Sequence, residues 1–202
     1  MSSRFSGFAN RTDAGGKLAE RIREREFEAP VVLALPRGGV PVAFEIARGI
    51  GARLDLVLVR KIGVPYQPEL ALAAVVNGDD PEVVVNPEVS SVTGLDETFL
   101  DAEVTRKLKE IERRRADYLQ GRAQLPVEGR TAIVVDDGIA TGASIRAALR
   151  ALRRKNPKRL VLAVPVAPAE TVKALEREAD EVICLESPEP FIAIGLHYSD
   201  FR

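Results

Sequence analysis

The strongest chemical signal in the sequence is the thirteen-residue string Ala132–Ser144, in which two adjacent carboxylates follow an apolar run. The apolar run ends at Asp136 and Asp137, and small residues then lead into a helical pattern. Glycine allows a positive φ and a close approach of the backbone to a ligand. We expect Gly138 and Gly142 to have both properties. The string therefore predicts a ligand-binding loop between a strand and a helix.

A helix that starts after such a loop can bind a phosphate monoester through its free N–H groups. Thr141 and Ser144 add hydroxyl donors at the same place. Two carboxylates would repel a bare anion, so they must bind hydroxyls, a metal ion or an incipient cation on the same ligand. A phosphorylated sugar meets this description, with its hydroxyls on Asp136 and Asp137. The structural alternative is that the acid pair caps the loop and Gly142 eases the turn into the helix.

Two common nucleotide sites do not fit the sequence. It contains no G-x-x-x-x-G-K-[ST] string, which excludes a P-loop. It also lacks G-x-G-x-x-G after a strand pattern, which weakens a dinucleotide-binding interpretation.

Alternating strand and helix patterns must position the loop, and they predict an α/β fold with a mostly parallel, helix-covered central sheet. Ligands of such sheets collect beyond the carboxyl ends of the strands. The predicted strands are Val31–Leu35, Leu54–Val59, Leu70–Val76, Glu82–Asn86, Thr131–Val135, Arg159–Pro165 and Glu181–Leu185, and the predicted helices are Thr12–Arg25, Val40–Arg48, Asp96–Gln120, Ser144–Arg154 and Pro168–Glu178.

The middle of the chain interrupts this alternation. Leu70–Val76 and Glu82–Asn86 predict a β-hairpin, whereas Arg60–Pro65 before it is predicted as a loop. Asp96–Gln120 predicts a long surface helix with a narrow buried seam, and a role as a lid or subunit contact is the alternative. We expect one domain over residues 1–202, with an insertion at about 82–125 and a tail at about 187–202 that packs back onto the domain.

Composition narrows the function classes. The 202 residues (22.0 kDa) carry 29 basic and 30 acidic side chains, so neither a polyanion-binding surface nor a nucleic-acid partner is expected. The longest apolar run, Leu70–Val76, is too short to span a membrane, and the N-terminus lacks a signal-peptide pattern.

Cys184 and His197 are the sole residues of their types, which excludes an internal disulfide and a zinc site. We expect a cytoplasmic protein. Arginine-rich composition with few Asn, Gln and Met residues indicates a thermophile or a GC-rich genome.

The acid pair and its loop resemble the phosphoribosyl-pyrophosphate (PRPP) motif of the type I phosphoribosyltransferases. Leu35–Gly39 resembles the pyrophosphate loop of that family. Val59–Pro65 with the nearby Glu69–Ala71, together with Gly195–Phe201, resembles a bacterial subgroup of stand-alone phosphoribosyltransferase-domain proteins, whose acceptor is generally not assigned.

The resemblance implies a role for each matching residue. Asp136 and Asp137 would bind the 2′- and 3′-hydroxyls of PRPP, directly or through Mg²⁺, and Lys61 with Arg60 would add positive charge at the pyrophosphate. The pyrophosphate itself would be held by Arg37, Gly38 and Gly39, in a loop that often has unusual peptide geometry. The 5′-phosphate would be cradled by Gly138, Ile139, Ala140, Thr141, Gly142, Ala143 and Ser144. The plain alternative for Arg37 and Lys61 is a solvated surface cation.

The implied reaction is displacement of pyrophosphate from ribose C1 by a nitrogen acceptor such as a nucleobase, with Asp136, Asp137 and Lys61 as the catalytic residues. Ala140 stands where 6-oxopurine enzymes of the family usually carry an aspartate, which argues against a hypoxanthine or guanine acceptor. A hood segment over the acceptor is expected from the tail, around Phe191–Phe201, or from the insertion Pro87–Gln120. A mobile loop is expected at Glu88–Glu97. A PRPP sensor without turnover, a generic nucleotide-binding protein and a homodimer stay open as alternatives.

Overall fold

The computed structural model describes residues 7–77, 81–94 and 96–202, apart from the side chains of Pro68, Glu69 and Glu88. Its helices are α1 (Arg11–Arg23), α2 (Gly39–Ile50), α3 (Pro87–Thr93), α4 (Glu97–Leu119), α5 (Ala143–Arg154) and α6 (Ala169–Leu175). Its strands are β1 (Val31–Ala34), β2 (Arg53–Leu56), β3 (Val59–Val64), β4 (Gln67–Val76), β5 (Glu82–Val85), β6 (Thr131–Val135), β7 (Arg159–Val166) and β8 (Glu181–Glu186).

A five-stranded parallel sheet forms the centre of the molecule, in the order β2-β1-β6-β7-β8. Strands β1 and β6 are buried along their whole length, as their unbroken apolar runs predict. Alternate side chains pack against α1 and α2 on one face and against α5 on the other. The predicted parallel, helix-covered sheet is confirmed.

A second sheet of three antiparallel strands, β3-β4-β5, stands beside the central one. The predicted hairpin is confirmed as β4 and β5, although the middle of its predicted turn, residues 78–80, lies outside the described residues. The predicted loop over Arg60–Pro65 is wrong, because residues 59–64 pair with β4 as strand β3. The predicted strand Leu54–Val59 accordingly divides into the end of β2 and the start of β3. The strand was not recognisable in the sequence because Arg60 and Lys61 interrupt its apolar pattern and Gly63 marks a shift in register.

Helix α4 packs on the three-stranded sheet through the predicted buried seam, with Leu100, Val104, Leu108 and Ile111 against Leu58, Ile62 and Leu72. Helix α5 contacts the opposite face of the same sheet, where Ala74 and Val76 are buried.

The loop predicted at Glu88–Glu97 is a helix over most of its length. Helix α3 occupies Pro87–Thr93, and Leu95 lies outside the described residues. Asn86 precedes the helix, and its carbonyl accepts a hydrogen bond from Ser90 N at 2.9 Å. Asparagine followed by proline at the first helical position is a common start of a helix, and this signal outweighed the small polar residues that follow.

The tail packs back onto the domain, as predicted. It forms a short 3₁₀ helix at Ile194–His197 and a parallel bridge between Tyr198 and Phe8. Ser199 N donates to Phe8 O at 2.8 Å, which joins the two ends of the described chain. Among the described residues, no helix is both long enough and apolar enough to span a membrane.

Candidate functional site

The loops after β1 and β6 lie side by side at the carboxyl edge of the central sheet. The two strands are neighbours in register, with Ala34 opposite Val135. Leu35 N donates to Val135 O at 2.9 Å, which continues the pairing one residue further. The predicted pyrophosphate loop and the acid pair therefore begin next to each other.

Glycine is required at both Gly38 and Gly39 because the two loops touch. A Cβ atom on Gly38 would lie 2.1 Å from Oδ2 of Asp137, and one on Gly39 would lie 2.7 Å from the carbonyl oxygen of Val135. The peptide bond between Pro36 and Arg37 is cis, which agrees with the unusual geometry that the resemblance implies for this loop. Arg37 is exposed at the loop surface.

The two carboxylates of the acid pair have different surroundings. Asp136 is half-buried, and its Oδ1 accepts a hydrogen bond from Asp137 N at 2.9 Å. Burial, followed by the adjacent charge of Asp137, raises the pKa of Asp136 to about 8. Asp137 is buried, its carbonyl accepts a hydrogen bond from the hydroxyl of Tyr198, and its Oδ2 accepts one from Nε of Arg11 at 2.7 Å. The acid pair thus combines an ion-paired Asp137 with an Asp136 that takes up a proton more readily than a free aspartate does.

Arg11 is a residue of this site that sequence analysis missed. Its Nη1 donates to the carbonyl oxygens of Phe201 at 2.8 Å and Arg202 at 3.2 Å, and its guanidinium lies 3.9 Å from the ring centre of Phe201. Arg11 is 126 residues away from Asp137 in the chain, so no local motif could pair them.

The loop between β6 and α5 is fixed from both sides. Ile139 N donates to Val166 O, and the hydroxyl of Thr171 donates to Ala140 O, each at 2.9 Å. Gly142 precedes α5 with the predicted positive φ of 73°. The first N–H groups of an α-helix have no intrahelical partner, so those of α5 can bind an anion.

Gly138 departs from the expectation for this loop, since its φ is not positive. Close packing favours glycine there, because a Cβ atom would lie 2.6 Å from Cγ2 of Ile194 in the tail. The tail therefore borders the acid pair.

Lys61 and Arg60 lie on opposite faces of β3. Lys61 is exposed and stands opposite Ala74, which lines a cavity of about 390 Å³ shared with Thr141 and Ala143. Arg60 faces α4, where its Nε donates to Glu110 at 2.7 Å. Lys61 thus lies on the face of β3 towards the loop between β6 and α5, whereas Arg60 is bonded to Glu110 on the other face.

The donor set of the acid pair fits a magnesium ion held jointly with a substrate. Arg11 bonds to Oδ2 of Asp137. Within the described residues, no group outside the acid pair donates a hydrogen bond to Oδ1 of the same residue. Mg²⁺ typically takes one or two carboxylates together with water and substrate phosphates. Within residues 7–77, 81–94 and 96–202, no group of three or more His, Cys, Asp or Glu side chains could hold a metal without such a substrate.

A family model described as phosphoribosyl transferase domain matches residues 8–200. The chain belongs to the phosphoribosyl transferase family. Two Mycobacterium tuberculosis proteins, from strains H37Rv and CDC 1551, carry a provisional phosphoribosyl transferase name, and each is 46% identical to it over 194 residues. These residues are 96% of this chain but 43% of each relative, so the chain spans less than half of their length.

Two solved structures share the fold of this chain. The protein TT1426 of Thermus thermophilus is 44% identical to this chain, with a TM-score of 0.85 over 97% of this chain and 92% of that one. A hypoxanthine-guanine phosphoribosyltransferase of Bacillus anthracis is 17% identical, with a TM-score of 0.50 over 95% and 89% of the two chains. The second similarity concerns the fold alone.

Proposed function

We propose that this member of the phosphoribosyl transferase family transfers a 5-phosphoribosyl group from PRPP to a nitrogen acceptor and releases pyrophosphate. The observation that carries the proposal is the contact of Gly38 with Asp137, which leaves no room for a Cβ atom between the two loops. A pyrophosphate loop, two carboxylates and a free helix N-terminus within one sheet edge match the three parts of PRPP.

The chain's own groups support an electrostatic mechanism. The acceptor nitrogen forms a bond to ribose C1 while the C1–O bond breaks, and the electron pair leaves with pyrophosphate. Arg37 and Lys61 would stabilise the charge on the leaving group, and the N–H groups at the start of α5 would hold the 5′-phosphate. The acid pair would favour the positive charge that develops on the ribose ring.

Bound Mg²⁺ would neutralise charge on the pyrophosphate, and Asp136 and Asp137 are the residues to hold it. The mechanism needs no covalent nucleophile. Burial raises the pKa of the Cys184 thiol, which donates a hydrogen bond to Glu186 O at 3.2 Å, so this residue is suited to packing.

The acceptor is inferred only as a class. Ala140 has no side-chain group that could accept a proton from a base, and we therefore propose a nucleobase other than a 6-oxopurine. We also infer that nucleic acid is not a partner, from the even charge balance, and that a membrane is not one, from the short apolar runs. The lone cysteine favours a cytoplasmic location, and a homodimer stays an open prediction.

The decisive experiment measures pyrophosphate release from PRPP and Mg²⁺ in the presence of a panel of purine, pyrimidine and nicotinate-type acceptors. We expect release with at least one acceptor, and a loss of about 100-fold or more in Asp137→Ala, because a ligand for the ribose hydroxyls disappears. Asp101→Asn, an exposed position on α4, is the matched control and should retain full activity. Tight PRPP binding without release across the panel would indicate a sensor, and no binding of PRPP with Mg²⁺ would leave only a generic nucleotide-binding protein.

A further inference from the structure

Two adjacent carboxylates beside a phosphate-binding loop create an electrostatic problem, and Arg11 lies where it can solve it. We propose that Arg11 is a positioning residue of the PRPP site, which holds Oδ2 of Asp137 and leaves Oδ1 to receive the ribose hydroxyls. This inference rests on the proposed function and extends it to a residue outside every recognised motif of the sequence.

The contact between Arg11 and Asp137 is well shielded from water. Nε of Arg11 lies 2.7 Å from Oδ2 of Asp137, and the side chains retain 16% and 10% of their exposure. The same oxygen lies against the backbone of Gly38. Oδ2 is therefore enclosed between the guanidinium and the pyrophosphate loop, which also approaches Oδ1, and within the described part of the chain the bond from Arg11 goes to Oδ2.

The guanidinium is fixed from its other side by the tail. Nη1 donates to the carbonyl oxygens of Phe201 and Arg202, and the ring of Phe201 lies 3.9 Å from the guanidinium carbon. A group that is bonded on two edges and stacked on one face cannot follow a ligand. Arg11 therefore acts through Asp137. Only arginine offers this planar set of donors, since lysine presents a single ammonium.

The charge of Arg11 also changes what an incoming substrate meets. The ion pair with Arg11 offsets the negative charge of Asp137. PRPP carries several negative charges, and its repulsion from the site falls accordingly. Arg11 thus explains how an acid pair and a phosphate loop can share one ligand.

A double-mutant cycle tests this proposal by calorimetry. The probes are ribose 5-phosphate, which has the hydroxyls and the 5′-phosphate, and inorganic pyrophosphate with Mg²⁺, which has neither. We expect Arg11→Gln to weaken ribose 5-phosphate binding by about tenfold or more, as for loss of a charge-assisted contact, with pyrophosphate affinity within about twofold of wild type. Arg11→Lys should recover part of the loss.

The decisive variant is the double mutant R11Q/D137N. If Arg11 acts through Asp137, the double mutant binds ribose 5-phosphate no more weakly than D137N alone. Additive losses would overturn the proposal, as would an unchanged affinity of folded R11Q. Arg21→Gln, at the far end of α1 with an exposed side chain, is the matched control and should bind as wild type does.

Two further outcomes are distinguishable. If R11Q does not fold, R11K carries the test: one ammonium cannot replace all the bonds of the guanidinium, so a several-fold loss is expected and an unchanged affinity overturns the proposal. If wild-type protein binds neither PRPP nor ribose 5-phosphate, the proposed function fails, and the role of Arg11 falls with it.

Discussion

Asp136 is the residue at which the requirements of binding oppose those of stability. Burial and the charge of Asp137 raise its pKa to about 8, whereas an aspartate in an unfolded chain titrates near pH 4. Between these values the folded protein holds a proton that the unfolded chain has released. The free energy of unfolding therefore falls as the pH rises from about 4 to about 8, and this loss is complete above pH 8.

Asp136→Asn should remove this pH dependence. The amide oxygen can still accept the hydrogen bond from Asp137 N, and it carries no charge to desolvate. We expect the variant to be more stable than wild type at pH 8 by several kcal/mol, since each unit of the rise in the pKa of Asp136 corresponds to about 1.4 kcal/mol, with little difference at pH 4. Thermal denaturation across this range measures the effect, with Asp101→Asn as the control. An equal gain in Tm at pH 4 and pH 8 would contradict the assignment, and PRPP binding should weaken in the same variant.

At the scale of elements, strand β3 places the neighbouring cations Arg60 and Lys61 on opposite faces, where they have different surroundings. Arg60 is half-buried against α4 and bonded to Glu110, which Lys107 and Arg114 also approach. Lys61 lies on the other face, towards the cavity that Thr141 borders. The alternation of side chains along a strand makes both placements a consequence of one register.

Substitution of each cation should therefore give a different result. Lys61→Gln should weaken binding of pyrophosphate with Mg²⁺ by about fivefold to tenfold and leave Tm within about 1 °C of wild type. Arg60→Gln should lower the free energy of unfolding by about 1 kcal/mol, because Glu110 loses its best-placed partner, and should leave pyrophosphate affinity unchanged. Calorimetry and thermal denaturation of both variants measure this. A loss of pyrophosphate affinity in Arg60→Gln would show that Arg60 also contributes to pyrophosphate binding.

Elements whose core pattern is continuous were predictable, and elements defined by distant contacts were not. Strands β1 and β6 are unbroken apolar runs, so their parallel pairing, and with it the place of both loops, followed from the sequence. Strand β3 was missed because Arg60 and Lys61 interrupt its pattern and only pairing with β4 reveals it. Arg11 was missed for the same kind of reason, since its partner Asp137 comes near it only through the fold.

At the scale of the whole molecule, the two edges of the central sheet have different tasks. The carboxyl edge holds the acid pair and the loops. The opposite edge is joined by ion pairs between elements: Glu181, at the start of β8, contacts both Arg25 and Arg159, and Asp180 contacts Arg153 at 2.9 Å. Networks of this kind contribute more at high temperature, so the heat tolerance that the composition predicts is expected to depend on this edge.

The variant Glu181→Gln tests whether stability at this edge is independent of ligand binding at the carboxyl edge. The substitution removes the charge that Arg25 and Arg159 share, and the carboxylate retains only 20% of its exposure, so solvent screens the pair weakly. We expect Tm to fall by about 4 °C, while Kd for PRPP stays within about twofold of wild type, because the substitution lies at the opposite edge from the acid pair. Glu103→Gln is the matched control, since its pair with Arg106 is a more exposed contact within α4 and should shift Tm by about 1 °C or less. Equal shifts in the two variants would mean that the ion pairs at this edge stabilise the protein no more than a surface pair does. A loss of PRPP affinity in Glu181→Gln would show that the two edges are coupled through the sheet.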